Sequence, residues 1–382
     1  MSNFINLTRC LIFSILSFGL SIHELVESKT VSNADASIIK TIKSNNGEII
    51  DCYNIYRQPA FSSPLFRNHK IQMRPSSYPK GIQLKDHRNL KLIQTWHKYG
   101  LCQDGTISIR RPINYQPNLT FSSRNCLPSQ GVNNTNEDFA AITPVGDNFQ
   151  GGQADINIWN PLTEQPKEYR TSLIWISGGN NQEVIEAGLE VNKVLYGHDQ
   201  PSIFVYWTAD GYNSTGCYNI QCSGFVQTTS EVAFGSKFDH ISIFNGDQFA
   251  ALFIIFRERS TGDWWLLFEE TIIGYWPHFL FKQLPVRATV TAFGGQILNT
   301  QPNGRHTKTQ MGSGNLPAEG GLGISSFFHR VKVFDGNFEY ITPERVSVVV
   351  TKAGCYGLKL DQADSSGVKF YYGGPGFSST CQ

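Results

Sequence analysis

The sequence predicts a mainly β protein, in which a C-terminal antiparallel β-sandwich domain follows a small β-containing domain. The first observation is a succession of ten short, largely alternating segments separated by Gly-rich turns. The second is the lack of a long run with the 3.6-residue period of an amphipathic helix. The third is a composition with 13% aromatic and only 16% charged residues, against roughly 25% charged in an average globular protein. With 382 residues, the chain has room for about two domains.

Residues 1–28 are predicted to be a signal peptide. Arg9 precedes an apolar run from Leu11 to Ile22, and the tripeptide ending at Ser28 fits the small-x-small pattern for cleavage. The run is too short for a typical membrane span, although a signal anchor is the alternative interpretation. No later segment offers about 18 uncharged apolar residues. We therefore expect a secreted protein without membrane association after signal cleavage.

The net charge of +1 conceals two regions of opposite sign. Residues 29–130 carry a net charge of +10, and residues 131–382 carry −8. The near-zero total gives no reason to expect nucleic acid as a partner. Pro128–Glu137 (PSQGVNNTNE) lies at the change of sign, and its polar, turn-rich sequence indicates an exposed linker. We therefore divide the mature chain into domains of residues 29–130 and 131–382.

The predicted strands follow from local patterns. In the basic domain, Ile38–Tyr56 contains two alternating strands around Asn46-Gly47, a strong hairpin signal, and Thr95–Arg111 contains one more strand. Ser260–Asp263 is predicted to be a hairpin turn in the acidic domain. The strands predicted there are Ala154–Trp159, Ser172–Ser177, Val184–Val191, Ile203–Thr208, Ala250–Arg257, Trp264–Phe268, Thr271–Trp276, Thr289–Phe293, Val346–Thr351 and Lys369–Tyr372.

Cysteines and sequons fit an oxidising secretory compartment. Seven cysteines remain after removal of the signal peptide, and their spacing is not that of a zinc site. Proximity along the chain suggests three disulfides and leaves Cys126 unpaired, although sequence alone does not fix which cysteines pair. The suggested pairs are Cys52–Cys102, Cys217–Cys222 and Cys355–Cys381. Asn-x-Ser/Thr sequons, which also arise by chance, predict glycosylation at Asn118, Asn133 and Asn213.

Few side chains suggest chemistry on their own. The chain has no HExxH, GxSxG, P-loop or GxGxxG motif, and we expect no metal and no cofactor. Glu186 lies between apolar residues on a predicted strand, where burial would raise its pKa; an outward-facing, solvated Glu is the alternative. Glu183 and Glu190 are expected to be solvated.

Aromatic strand ends and one histidine are candidates for a substrate groove. Tyr206 and Trp207 end one predicted strand, and Tyr275 and Trp276 end another. They either line a groove for extended peptide or sugar or belong to the core. His306 lies in a Gly/Thr-rich stretch that could line a cleft, and a surface or core position is the alternative.

Motifs along the whole mature chain indicate its family. In order, the acidic domain contains IEAGLEV, YWTADGY, STGCYNIQCSGFVQT, WWL followed by GYWP, GGQI and HTKTQMGSG. The basic domain contains IKTIKSNNGEIIDCYNIYRQPAF, QMRPSSY and WHKYGLCQDGTISIRR. These motifs resemble the neprosin family of secreted plant glutamic peptidases, over about residues 38–382. The resemblance implies an activation (propeptide) domain, a catalytic β-sandwich and zymogen maturation at acid pH.

The resemblance also implies two catalytic positions. One catalytic glutamate of the family lies in an IEAG motif, which maps onto Glu186. The other lies in a WGGE motif, which maps onto residues 293–296 (FGGQ), so Gln296 stands at the second catalytic position in this chain. Gln cannot transfer a proton, but its amide donates hydrogen bonds and can stabilise an oxyanion. Glu186 would then be the sole base and later the acid. Fungal glutamic peptidases of a different family use such a Glu/Gln pair.

The resemblance therefore implies a secreted neprosin-like glutamic endopeptidase, made as an acid-activated zymogen, that cleaves proline-containing peptides. Its expected partners are a peptide or protein substrate and its own propeptide, acting as an intramolecular inhibitor. The alternative is a catalytically inactive protein of the same fold that binds peptide or cell-wall carbohydrate. The expected location is extracellular, in the apoplast or cell wall, with the vacuole as an alternative.

Overall fold

The alternating segments of the sequence form three antiparallel sheets. The computed structural model describes residues 36–82, 94–112, 136–361 and 363–382. The predicted signal peptide, Cys126 and the sequons at Asn118 and Asn133 lie outside the described residues. Among the described residues, no helix has the length and apolar character that crossing a membrane requires.

The basic region forms a small sheet in the order β1-β2-β3. Its strands are Ile38–Lys43, Ile49–Asn54 and Thr106–Arg110, and four 3₁₀ turns flank them at Ile55–Arg57, Pro59–Ser62, Pro64–Phe66 and Thr95–Tyr99. Gly47 takes the left-handed φ of +85° that the predicted hairpin turn requires. The disulfide between Cys52 and Cys102 joins β2 to the segment before β3.

The acidic region forms two large sheets that pack face to face. A ten-stranded sheet has the order β10-β13-β12-β11-β5-β16-β20-β15, with β17 on β16 and β19 on β20, and a seven-stranded sheet has the order β18-β4-β14-β6-β7-β8-β9. The strands are β4 Glu137–Pro144, β5 Phe149–Asn157, β6 Tyr169–Gly178, β7 Glu183–Asn192, β8 Ser202–Thr208, β9 Cys217–Tyr218, β10 Val226–Gln227, β11 Ala250–Arg257, β12 Trp264–Phe268, β13 Thr271–Trp276, β14 Val290–Leu298, β15 Met311–Gly312, β16 Ser326–Asp335, β17 Tyr340–Ile341, β18 Val346–Val350, β19 Gly357–Leu360 and β20 Val368–Gly374. A short helix α1 spans Lys193–Tyr196, and a 3₁₀ turn spans His278–Leu280.

Both faces of the central strands β7 and β8 of the seven-stranded sheet are buried. Successive side chains on a strand point to opposite faces. On β7, Ile185 and Ala187 point into the sandwich core, where they join residues of the other sheet. The opposite face, called the outer face below, carries a second apolar cluster that includes Leu173, Trp175 and Phe204. A mainly β fold with a small N-terminal sheet before a C-terminal sandwich is confirmed.

Candidate active site

Glu186 lies on the outer face, in the middle of β7. Its cross-strand neighbours are Trp175 on β6 and Tyr206 on β8. The residue is 1% exposed, so it is not the solvated strand carboxylate that was the alternative interpretation. A carboxyl group held at this position is removed from water and requires protein hydrogen-bond donors.

Tyr212 supplies one of these donors. Its hydroxyl donates a hydrogen bond to Oε1 of Glu186 at 2.6 Å, and its ring stacks on Tyr206 at 5.7 Å between centroids. Tyr212 has a φ of +64°, a left-handed conformation that is costly for a bulky residue. Such strain persists only where the surrounding structure enforces it, and it concentrates at functional sites.

Asp210 enforces the shape of the loop that carries Tyr212. Its carboxylate accepts hydrogen bonds from the backbone N–H and hydroxyl of both Ser214 and Thr215, and from the N–H of Asn213. Burial opposes ionisation of Asp210, but the hydrogen bonds from Ser214 and Thr215 outweigh it and lower the pKa well below its usual range. The charged carboxylate therefore ties the loop together even in acid.

Gln296 lies on the same outer face, on β14, and is 1% exposed. Its Oε1 accepts a hydrogen bond from the Thr171 hydroxyl at 3.5 Å. Glu186 and Ala292 both lie opposite Trp175, whereas Gln296 and Glu190 both lie opposite Thr171. The two predicted catalytic residues therefore share a face, two strands apart, but the residue in the row of Gln296 is Glu190.

Glu190 lies on the same face as Glu186 and Gln296, although the sequence did not single it out. The sequence predicted a solvated side chain, yet it is 1% exposed. Its carboxylate accepts hydrogen bonds from Tyr196 Oη at 2.9 Å, Asn192 Nδ2 at 3.3 Å and Tyr218 Oη at 3.4 Å. The signal in the sequence was its i+4 position on the strand of Glu186, which places both side chains on one face.

Glu183 is also buried, contrary to the expectation of a solvated side chain. It is 4% exposed, and its carboxylate accepts the backbone N–H groups of Lys282, Gln283 and Leu284 at 2.7, 2.8 and 2.9 Å. It lies on the face of β7 opposite to Glu186. We therefore assign it a structural role.

The predicted groove residues separate into different parts of the molecule. Tyr206 lies on the outer face beside Glu186. Trp207, the next residue, points into the sandwich core. Tyr275 and Trp276 are buried on β13 of the other sheet. Of the four aromatic residues, only Tyr206 has the position that a groove at Glu186 requires.

His306 belongs to a buried structural cluster. Its Nε2 lies 2.8 Å from Oδ2 of Asp138, and its ring contacts Tyr356 at 5.4 Å. His306, Cys355 and Cys381 form the one grouping of metal-type donors among the described residues. Cys355 and Cys381 are joined in a disulfide, so they offer no thiolate ligands. The three suggested disulfides, including Cys217–Cys222, are all present.

The N-terminal region docks on the sandwich through buried hydrogen bonds, and the described residues from 37 onwards belong to one compact unit. The Gln58 side chain donates to the backbone oxygen of Gln227 at 3.0 Å and accepts from its N–H at 2.9 Å. Gln94 makes the same pair of bonds with Ala233, at 2.8 and 2.9 Å. His69 Nε2 lies 2.7 Å from the Tyr275 hydroxyl.

Glu258 is a further docking point and is fully buried. It accepts hydrogen bonds from the Ser76 N–H at 2.7 Å and from Gln72 Nε2 and Trp265 Nε1, each at 3.0 Å. Burial opposes its ionisation, but the hydrogen bonds from Ser76 and its other donors outweigh burial and hold the pKa of Glu258 below its ordinary value. The interface thus depends on a buried, charged carboxylate.

The fold and the site define a β-sandwich protein that carries a docked N-terminal segment and a buried carboxylate and amide on the outer face of one sheet. The family model for Neprosin matches residues 166–375, and the model for the Neprosin activation peptide matches residues 41–118. The chain therefore belongs to the Neprosin family, and the docked N-terminal region corresponds to its activation peptide.

Solved structures of peptidases are more distant. Scytalido-glutamic peptidase with a peptide-based transition state analogue is 9% identical, with a TM-score of 0.35, and the match covers 63% of this chain and 98% of that one. SCP-B, a member of the eqolisin family of peptidases in complex with the tripeptide Ala-Ile-His, is 9% identical, with a TM-score of 0.33 and the same coverage. TM-scores at this level do not establish a shared fold.

Proposed function

We propose that the chain is the zymogen of a secreted glutamic-type endopeptidase that cleaves proline-containing peptides. The observation that carries the proposal is the buried Glu186, held by Tyr212 on the same outer face as Gln296. The match to the activation peptide supports the zymogen state. The aromatic side chains of Tyr206 and Tyr212 beside Glu186 offer flat apolar surfaces of the kind against which a proline ring packs.

In this proposal, the ionised Glu186 takes a proton from water as the water oxygen attacks the scissile carbonyl carbon. The Gln296 amide donates a hydrogen bond to the oxyanion that forms. Glu186 then returns the proton to the leaving nitrogen as the C–N bond breaks. The products are a carboxylic acid and an amine, so atoms and charge balance without a cofactor.

The test is a digest of a proline-rich peptide at acid pH by the matured protein, with the fragments read by mass spectrometry. We expect new fragments from the wild type and none from Glu186→Gln. The matched control is Glu183→Gln, on the same strand but the opposite face, which should still cleave. Retention of the peptide without fragments would favour the inactive binding protein, and cleavage by Glu186→Gln would move the chemistry elsewhere.

A further inference from the structure

A cavity of about 160 Å³ lies between the activation peptide and the sandwich. Residues 77–80 of the activation peptide form one side, and Arg257, Arg259 and residues 337–338 of the sandwich form the other. Of the described residues that line it, three carry a positive charge and none carries a negative charge. This cavity, called the interface cavity below, therefore concentrates positive charge where the two parts of the chain dock.

Phe338 positions the two arginines of the interface cavity. Cζ of Arg257 lies 5.0 Å from the centroid of the Phe338 ring, and Cζ of Arg259 lies 4.5 Å from it. Phe338 has a left-handed φ of +64°, which is costly for a bulky residue. The carboxylate of Asp335 enforces this turn by accepting two backbone N–H groups, each at 2.8 Å. The Phe338 carbonyl accepts the N–H of Lys80 at 3.3 Å, so a strained residue places the arginines beside the docked peptide.

The carboxylates near the interface cavity do not neutralise these arginines. Glu339 pairs with Lys80 at 2.5 Å, and Glu258 accepts N–H groups of other residues. No carboxylate of the described residues forms an ion pair with Arg257 or Arg259. Burial lowers the pKa of Arg257, and the charge of Arg259 lowers it further. The half-buried Arg257 thus lies beside a second cation without a counter-ion, an arrangement that an anion would stabilise.

Both guanidinium groups keep N–H donors for such an anion. Arg257 donates from Nε to Gln150 Oε1 at 2.5 Å and from Nη1 to the Pro285 carbonyl at 2.9 Å. Arg259 donates from Nη2 to the Asn337 carbonyl at 3.2 Å. A guanidinium has five N–H donors, and the remaining ones have no acceptor among the described residues. The existing bonds fix the two groups, and the planar fork of a guanidinium matches the paired oxygens of an oxyanion.

We propose that the interface cavity binds a small oxyanion, such as inorganic phosphate, which bridges Arg257 and Arg259 of the sandwich to Lys80 of the activation peptide. Because only the docked form presents both sides of the cavity, anion binding stabilises docking by mass action. At a phosphate concentration 100 times its Kd, docking of the activation peptide is about 100-fold tighter. The inference concerns docking and does not depend on the proposed peptidase chemistry.

The experiment is calorimetric titration of inorganic phosphate into the full chain at constant ionic strength, which is maintained with sodium chloride. We expect one site per chain, and at least 10-fold weaker binding in Arg259→Gln, which removes an exposed guanidinium. The matched control is Arg305→Gln, since Arg305 also lies over an aromatic ring, Phe377, at 5.0 Å but pairs with Glu164 at 3.5 Å. This control should bind phosphate as tightly as the wild type.

A second arm repeats the titration after cleavage and removal of the activation peptide, where we expect at least 10-fold weaker binding. Equal affinity before and after removal would overturn the bridging role. A wild type that binds no phosphate, or an Arg259→Gln variant that binds it as tightly as the wild type, would overturn the site itself. If Arg259→Gln does not fold, Arg259→Lys keeps the charge without the fork, and wild-type affinity in that variant would also overturn the inference.

Discussion

The Tyr212 hydroxyl lies 2.6 Å from Oε1 of Glu186, although 26 residues separate the two along the chain. The contact depends on the loop after β8, in which Tyr212 has a left-handed backbone. Because the side chain that orients the proposed base comes from a loop, the geometry of the site depends on what holds that loop.

Tyr212→Phe removes the hydrogen bond and keeps the ring that stacks on Tyr206. A hydrogen bond to a charged group contributes about 1.5–3 kcal/mol to stability, so we expect a lower Tm. We also expect kcat/KM to fall by roughly 10–100-fold, because the same loss leaves Glu186 without the group that orients it. Steady-state kinetics and thermal melting of the same samples measure both quantities. Unchanged kinetics would show that Tyr212 does not orient Glu186.

Asp210→Ala removes the acceptor that gathers Ser214 and Thr215. We expect faster hydrogen exchange in residues 209–216 and lower activity, with little change in exchange elsewhere in the sandwich. The pKa of Asp210 is depressed in the folded protein. Its contribution to the stability of the loop is therefore present above the pKa of the unfolded state and is lost only as pH falls through the pKa of the folded state. The wild-type loop should therefore stay ordered in mild acid, and loosening near pH 5 would contradict this.

Acid should weaken docking of the activation peptide through histidines that are partly or fully buried. Desolvation lowers the pKa of His69 and His97, and desolvation, with the charge of Arg110, lowers the pKa of His198 to about 4. At pH values below 6.5, the ordinary pKa of histidine, the undocked form binds more protons than the docked form. Docking is therefore lost as pH falls from 6.5 towards 4. We expect the affinity of the cleaved activation peptide to fall across this range.

His69→Gln tests the histidine mechanism, because the variant keeps a hydrogen-bonding group near Tyr275 without a titratable ring. Its docking should depend less on pH between 6.5 and 5 than docking of the wild type. The matched control is His240→Gln, since His240 is exposed and lies beside Asp239 rather than in a buried contact. Equal pH dependence in His69→Gln and the wild type would assign the effect to other groups.

Salt should affect docking weakly, despite the charges of +10 and −8 on the two predicted domains. Among the described residues, two ion pairs join the N-terminal region to the sandwich, Lys80–Glu339 and Lys98–Asp239, and the lysine side chains are 77% and 59% exposed. Exposed pairs contribute about 0–1 kcal/mol each. Affinity at low and high salt measures this, and a steep salt dependence would show that long-range attraction between the two charges is the main force.

Gly188→Ala should destabilise the sheet between Glu186 and Glu190. A Cβ at this position would lie 2.2 Å from the Ser172 carbonyl oxygen, and this backbone atom cannot move without disturbing β6. Overpacking of this kind costs about 1–3 kcal/mol, which should appear as a lower Tm. Gly246→Ala, whose nearest neighbour would be a side-chain carbon at 3.3 Å, is the control, and equal melting of both variants would contradict the prediction.

Local sequence predicted the strands well where alternation and turn residues agree. β11, β12 and β13 have the predicted bounds, and the Asn46-Gly47 hairpin forms. Two central strands were missed. In β16 the bulge at Arg330, which has a φ of +50°, interrupts the alternation. In β4, the first residue, Glu137, was assigned to the predicted linker Pro128–Glu137 because that stretch is polar and turn-rich.

The sequence by itself indicated the family, suggested the three disulfide pairs and placed Glu186 on a strand, since motifs, cysteine proximity and alternation are local signals. Only the tertiary structure decided which side chains share a row. It placed Glu190 opposite Thr171 and buried it, and it joined His306 to Asp138, 168 residues away. The physical reason is that strand register and burial arise from pairing between distant segments, and a strand carries no local record of the partner it will meet.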